Sequence, residues 1–185
     1  MKRICGIDEA GRGPLAGPVT AAAVILGDDF PISRLNDSKR LSPKRREELF
    51  RLLQEYGTLV GIGWAWPEEI DRINILKASL AAMQRAYDVL PERPDYLIVD
   101  GRDYPDIPVA GEARIKADAE VPAVMAASIV AKVVRDRWML RYSWFEPEYG
   151  YDRHKGYPTK AHREVCLRLG PSPIQRLSFT VAPLK

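Results

Sequence analysis

Cysteine and histidine are nearly absent from this chain, with two of each in 185 residues. Cys5 and Cys166 lie far apart in apolar surroundings, with no second thiol at metal-ligand or redox-motif spacing. That argues against a disulfide scaffold and a structural zinc site. His154 and His162 are the only histidines, no Ser-His-Asp arrangement is in view, and surface or capping roles are expected of both. No stretch approaches the roughly 18 apolar residues of a membrane span. The N-terminus runs Met1, Lys2, Arg3 and soon meets Asp8 and Glu9, which leaves no room for the apolar core of a signal peptide. A soluble, cytoplasmic protein is expected. A strong excess of one charge is also missing. The 28 Lys and Arg against 25 Asp and Glu leave a net charge of +3, which permits a nucleic-acid partner without requiring one.

What is present, 46% hydrophobic and 29% charged residues, supports a real core and one domain over residues 1–185. Residues 4–7 read as a short strand, and 19–26 as a second that is apolar throughout and so buried on both faces. A Gly-rich turn, residues 11–17, joins them. Ser42 and Pro43 supply a helix N-cap and first-turn proline, and Leu49, Leu52, Leu53 and Tyr56 mark an apolar face ending at Gly57. Residues 58–66 predict a strand, Pro67 opens a helical region strongest over 76–90, and 96–99 predict a short buried strand closed by Asp100 and Gly101. Residues 105–116 have the alternation and central glycine of a small hairpin. Residues 122–142 predict a long helix with Met125, Ile129 and Val133 on one face. Residues 149–158 predict an ordered surface loop before a last helix over 160–169, stopped by Gly170 and Pro171. The sum is a three-layer α/β domain with a C-terminal helical appendage.

Acids stand at the ends of these elements. Asp8 and Glu9 follow the first strand, where adjacent side chains point to opposite faces. Both reach one cation only if the backbone departs from the strand there, or if Glu9 contributes its carbonyl. Asp100 ends a buried strand, where ligand crevices form in α/β sheets, although an Asp-Gly turn explains it equally. Asp118 precedes the long helix, where an acid stabilises the N-terminus with or without another task. Asp136 has Lys132 one turn back and reads as an ion pair. Carboxylates without a nucleophile suit magnesium or manganese and metal-assisted phosphodiester hydrolysis. Gly11, Arg12 and Gly13 let backbone amides approach a phosphate or sugar, yet a plain tight turn fits as well. Tyr157, in a Gly-rich basic loop, can stack on a sugar or base. Basic residues gather at Lys39 and Arg40, at 44–46, at Lys132, Arg135, Arg137 and Arg141, and around Arg153 and Lys155; most read as solvated faces.

Together the segments Gly6 Ile7 Asp8 Glu9 Ala10 Gly11 Arg12 Gly13 Pro14, Asp37 Ser38 Lys39, Val99 Asp100 Gly101, Lys116 Ala117 Asp118, Ala126 Ala127 Ser128 Ile129 Val130 Ala131 Lys132 and Gly156 Tyr157 Pro158 Thr159 closely resemble ribonuclease HII, the type 2 ribonuclease H, over nearly the whole chain. The resemblance implies an α/β, ribonuclease-H-like fold, with a mixed five-stranded sheet flanked by helices and a C-terminal segment, about residues 145–185, completing the substrate cleft. It implies that Asp8, Glu9, Asp100 and Asp118 hold catalytic Mg2+ or Mn2+, and that Gly11, Arg12, Gly13 and Tyr157 sense the ribose 2′-hydroxyl. Lys39 and Ser128 match positions suited to flanking phosphates. The implied activity is cleavage 5′ to a ribonucleotide in RNA/DNA hybrids and at ribonucleotides embedded in duplex DNA, by a monomer. Rival readings are a junction-resolvase-like nuclease of the same fold and a noncatalytic duplex-binding module. One departure is Gln175, where the family often has His. The chain also ends at Lys185 without the aromatic clamp-binding tail of some relatives, so docking to a replication clamp is not expected.

Overall fold

The computed structural model describes residues 3–36, 38 and 40–181. Its strands are β1 (Ile4–Ala10), β2 (Val19–Ile25), β3 (Leu59–Ala65), β4 (Tyr96–Asp100) and β5 (Gly111–Arg114). They form one mixed sheet in the order β3-β2-β1-β4-β5. Antiparallel pairing links β1 to β2 and β2 to β3, whereas β4 runs parallel to β1 and β5 parallel to β4. A parallel neighbour needs a crossover, and the chain between β3 and β4 supplies it with two helices. The helices are α1 (Pro43–Glu55), α2 (Pro67–Ile73), α3 (Ile75–Asp88), α4 (Ala117–Glu120), α5 (Pro122–Tyr142), α6 (Tyr151–His154) and α7 (Lys160–Leu169). The expected three-layer α/β arrangement is therefore present. Among the described residues no helix is long and apolar enough to cross a membrane.

Strand alternation assigns the two faces. Cys5 and Ile7, Ala21 and Ala23, and Leu97 and Val99 pack with Ala78, Ala82, Met83 and Ala86 of α3. On the other face Ala22 and Val24 meet Ala126, Ala127, Val130 and Ala131 of α5, and Ile98 meets Ala117 and Val124. Helix α1 then covers α5, with Leu49 against Ile129 and Val133. That sandwiching explains why α5 is buried almost all round rather than along one stripe. Each fully buried Leu or Ile contributes roughly 1.5–3 kcal/mol by leaving water. Small residues bring the layers close. Gly6 lies against the Ala123 backbone of α5, and Gly63 against the Ala82 carbonyl of α3, where any Cβ would collide.

Three expectations need correction. Residues 105–116 are not a hairpin: β5 is a lone edge strand paired in parallel with β4, Leu97 opposite Gly111. Alternation and a central glycine cannot distinguish a strand that pairs with its neighbour in sequence from one that pairs across a crossover. β1 does not stop at Ile7 but runs on to Ala10, because β2 offers partners for every residue up to Ala10, which faces Thr20. Residues 149–158 are not merely a surface loop. They begin on the last residue of a 3-10 turn (Pro147–Tyr149) and contain α6, and Tyr149 and Tyr151 are buried with Met139, Cys166 and Ile174.

Candidate active site

β1 and β4 are parallel neighbours with Ile7 beside Val99, so Asp8 and Asp100 follow side by side, Asp100 as the last residue of β4 and Asp8 two residues before the end of β1. Both sit on the α5 face, two residues beyond Gly6 and Ile98 respectively. Asp118 enters from α4, whose preceding residue Lys116 turns in the left-handed region at φ 62°. The Asp118 amide donates to Asp100 Oδ1 at 3.5 Å. One carboxylate oxygen from each of Asp8, Asp100 and Asp118 can be chosen so that all three lie within 4.8 Å of one another.

Asp8 is 5% exposed and its carboxyl is held well above the usual carboxylate range. Burial is the largest cause, followed by the charges of Glu9 and Asp100; hydrogen bonds from the Ser128 hydroxyl and the Glu9 amide oppose them without prevailing. Glu9 does not join this trio. The pairing with β2 stays regular through it, yet Glu9 lines the same cleft as Asp8 and Asp100, and the Asp100 charge acts on its carboxyl. Its Oε1 accepts from Arg12 at 3.4 Å, while its Oε2 is buried without a hydrogen-bond partner. Burial again raises its pKa, against the nearby Arg12. Three crowded carboxylates and an orphaned buried oxygen form an all-oxygen donor set, the kind that suits a hard divalent cation.

Asp8, Glu9 and Asp100 open into a cleft of about 450 Å³ lined also by Gly11, Arg12, Gly13, Ser38, Arg46, Ser128, Lys132 and Tyr157. Ser128, on α5, shares a 2.6 Å hydrogen bond with Ser38, and Arg46 pins the Ser38 and Leu41 carbonyls. Tyr157 has Lys132 5.0 Å from its ring centre. Asp37 and Lys39 lie outside the described residues. Two residues that sequence reasoning missed underlie this cleft. Arg135, counted among solvated basic residues, is fully buried and donates to the carbonyls of Pro18, Ala16 and Lys155. Arg176 is equally buried and donates to Gly17, Arg12 and Gly11. A signal existed for the first: Arg135 falls seven residues after Ser128, on the same helix face.

Comparison with known proteins settles the family. The sequence model of the Ribonuclease HII family matches residues 5–182. The chain belongs to the ribonuclease HII family. Its relatives include the ribonuclease HII of Treponema denticola, 52% identical over 98% of this chain and all of that one. The ribonuclease H2 of Pyrococcus horikoshii superposes with a TM-score of 0.78 at 30% identity, covering 97% of this chain and 94% of that chain. The ribonuclease HII of Archaeoglobus fulgidus, solved in complex with PCNA, superposes at 0.78 with 28% identity, covering 94% and 92%. As a member of the ribonuclease HII family the chain is a hydrolase, an endonuclease of the ribonuclease H class that acts on RNA/DNA hybrids and depends on divalent metal. Residues 182–185, on which the expectation about clamp docking bears, lie outside the described residues.

The loop that carries Tyr157 rests on both histidines, of which His162 is not a surface residue and His154 is half-buried. His162 is fully buried, and its ring stacks on that of His154 at 4.3 Å. His154 Nδ1 accepts from the Gly156 amide, and His162 Nδ1 hydrogen-bonds the Tyr157 carbonyl. Burial, then the neighbouring His162, pulls His154 from its ordinary 6.5 to about 4, and burial lowers His162 as well. Below about pH 6.5 the unfolded chain takes up protons that the folded pair refuses, so this contribution to stability is full above pH 6.5 and lost as pH falls toward 4. Buried carboxylates such as Asp8 act in the opposite sense, so the readout is a difference. Between pH 7.5 and 5, wild type is expected to lose more melting temperature than His154→Gln. Parallel losses would remove the histidine pair as the cause.

Proposed function

We propose that this chain hydrolyses the phosphodiester bond 5′ to a ribonucleotide, both in RNA/DNA hybrids and at ribonucleotides embedded in duplex DNA, leaving 3′-hydroxyl and 5′-phosphate ends. The observation that carries this reading is the convergence of the Asp8, Asp100 and Asp118 carboxylates, with Asp8 and Asp100 lining a cleft that also contains Gly11, Arg12, Gly13 and Tyr157. In this reading Asp8, Asp100 and Asp118 hold the ions, with Glu9 completing the set through its carbonyl or its buried Oε2. Bound Mg2+ or Mn2+ in a pair supplies an activated water and stabilises the leaving oxygen. The residues of the chain supply the rest. The Gly11 to Gly13 turn presents backbone groups to the 2′-hydroxyl, the feature that separates RNA from DNA at one sugar. Tyr157 packs against the neighbouring sugar, and Ser128 and Lys39 grip flanking phosphates. Residues 1–185 act as one domain, with the segment from about 145 onward completing the cleft.

The test is an end-labelled DNA duplex with one internal ribonucleotide beside an all-DNA control, in magnesium, manganese or chelator. The expected result is a metal-dependent nick 5′ to the ribonucleotide and none in the control. Equal cutting of both duplexes would transfer the chain to a sugar-blind nuclease, and binding without cutting to a noncatalytic duplex binder.

A further inference from the structure

The cleft's turn is held from behind by the C-terminal segment. Gly17 donates its amide to the Ile174 carbonyl, Arg176 donates its amide to the Leu15 carbonyl, and Ala16 pairs with Gln175. Residues 174–176 thus lie against 15–17 as a short antiparallel strap. Two residues on, Asp71 of α2 clips the strap down. Its Oδ2 accepts the Leu177 amide at 2.8 Å, and its Oδ1 accepts the Ser178 amide at 2.9 Å and the Ser178 hydroxyl at 2.5 Å. Arg176 stands between strap and clip, with Phe179 stacked 5.1 Å from its guanidinium. Its fork takes the Gly11 carbonyl at 2.6 Å, the Arg12 carbonyl at 3.0 Å and the Gly17 carbonyl at 2.9 Å. In a trans peptide the carbonyl and the amide of the next residue point in opposite directions, and no described peptide bond is cis. Carbonyls of Gly11 and Arg12 drawn back onto Arg176 therefore turn the Arg12 and Gly13 amides away from it, on the side where these residues line the cleft.

We propose that Arg176, fixed by the strap and by Asp71, is a positioning residue that sets the Arg12 and Gly13 amides for recognition of the sugar, without touching substrate or metal. This rests on the reading of the turn as the 2′-hydroxyl contact. Gly11 fits the same design: at φ 98° it lies so close to the Arg135 guanidinium that a Cβ there would collide with it. The two buried cations together draw in the carbonyls of Gly11, Arg12, Ala16, Gly17 and Pro18.

The test compares full-length wild type, Arg176→Lys and Asp71→Asn. Lysine keeps the charge but loses the planar fork, and asparagine weakens the clip while leaving Arg176 in place. Both variants are expected to raise KM for the single-ribonucleotide duplex about tenfold while kcat stays within about threefold. Both should also speed hydrogen exchange of the amides at residues 11–13 and keep the wild-type rise in melting temperature on adding Mn2+, since the acid cluster is untouched. A fall in kcat at unchanged KM, or unchanged KM together with unchanged exchange, overturns the proposal. If Arg176→Lys does not fold, Asp71→Asn decides alone. If wild type itself ignores the ribonucleotide, the proposed function is what fails, and the exchange comparison still decides whether Arg176 sets the turn.

Discussion

Asp100→Asn is expected to lose cleavage by about three orders of magnitude or more, equivalent to about 4 kcal/mol of barrier, while melting no earlier than wild type in metal-free buffer. The two halves of this expectation share one cause. Asp100 adds negative charge beside two carboxyls that are already buried, and its charge raises the pKa of both Asp8 and Glu9. An amide of the same shape removes that repulsion, so the apoprotein gains or keeps stability. The same amide removes an anionic ligand oxygen from the only trio of acidic groups close enough for one ion among the described residues. Added Mn2+ or Mg2+ should raise the melting temperature of wild type, because an ion that binds only the folded state stabilises it by about 2.7 kcal/mol at a hundred times its Kd. That rise should shrink in Asp100→Asn. Rates read under single-turnover conditions, beside melting curves with and without metal, check both halves. A variant that cuts at nearly the wild-type rate would sink the assignment of Asp100 as a metal ligand.

Asp8 and Asp100 were legible in the sequence because apolar runs that stop at a carboxylate carry a local signal without any knowledge of pairing, even though β1 itself continues to Ala10. What the sequence withheld depends on long-range contacts. Residues 105–116 carry the alternation of a strand, but whether β5 pairs with the chain beside it or with β4 across the sheet is decided by which edge is open. Arg135 looks in sequence like its neighbours Arg137 and Arg141, since a helix alone does not reveal that a loop 117 residues earlier will present the Pro18 carbonyl to it. His154 and His162 carry no sign of stacking, because their burial is created by Tyr149 and Tyr151 packing beneath α7. The placement of Glu9 is an intermediate case. Alternation sets Asp8 and Glu9 facing opposite ways unless the backbone departs, and the pairing stays regular through Ala10, yet Glu9 still lines the cleft beside Asp8 and Asp100.

Gly6→Ala is expected to destabilise the protein by about 3 kcal/mol or more, which for a chain of this size lowers the melting temperature by roughly 6–12 °C. Local preference points the other way, since alanine in a strand interior is less costly in backbone entropy than glycine. Packing reverses the sign. A Cβ at Gly6 would fall on the carbonyl carbon of Ala123 and the amide nitrogen of Val124, which are backbone atoms at the start of α5 and cannot swing aside as a side-chain tip can. Either β1 or the helix must move, and both carry the site: Asp8 is two residues further along β1, while Ser128 lies on α5 and Asp118 on α4 just before it. A displacement of about 1 Å at such a cluster costs roughly a hundredfold in rate, so the variant should cut slowly even at temperatures where it is fully folded. Gly13→Ala is the control for stability, because a Cβ there meets nothing within 4 Å and its φ is not in the left-handed region. Equal melting temperatures for Gly6→Ala and wild type would show that α5 does not press on β1 as described, and would remove the support on which the alignment of Asp8 with Asp118 and Ser128 depends.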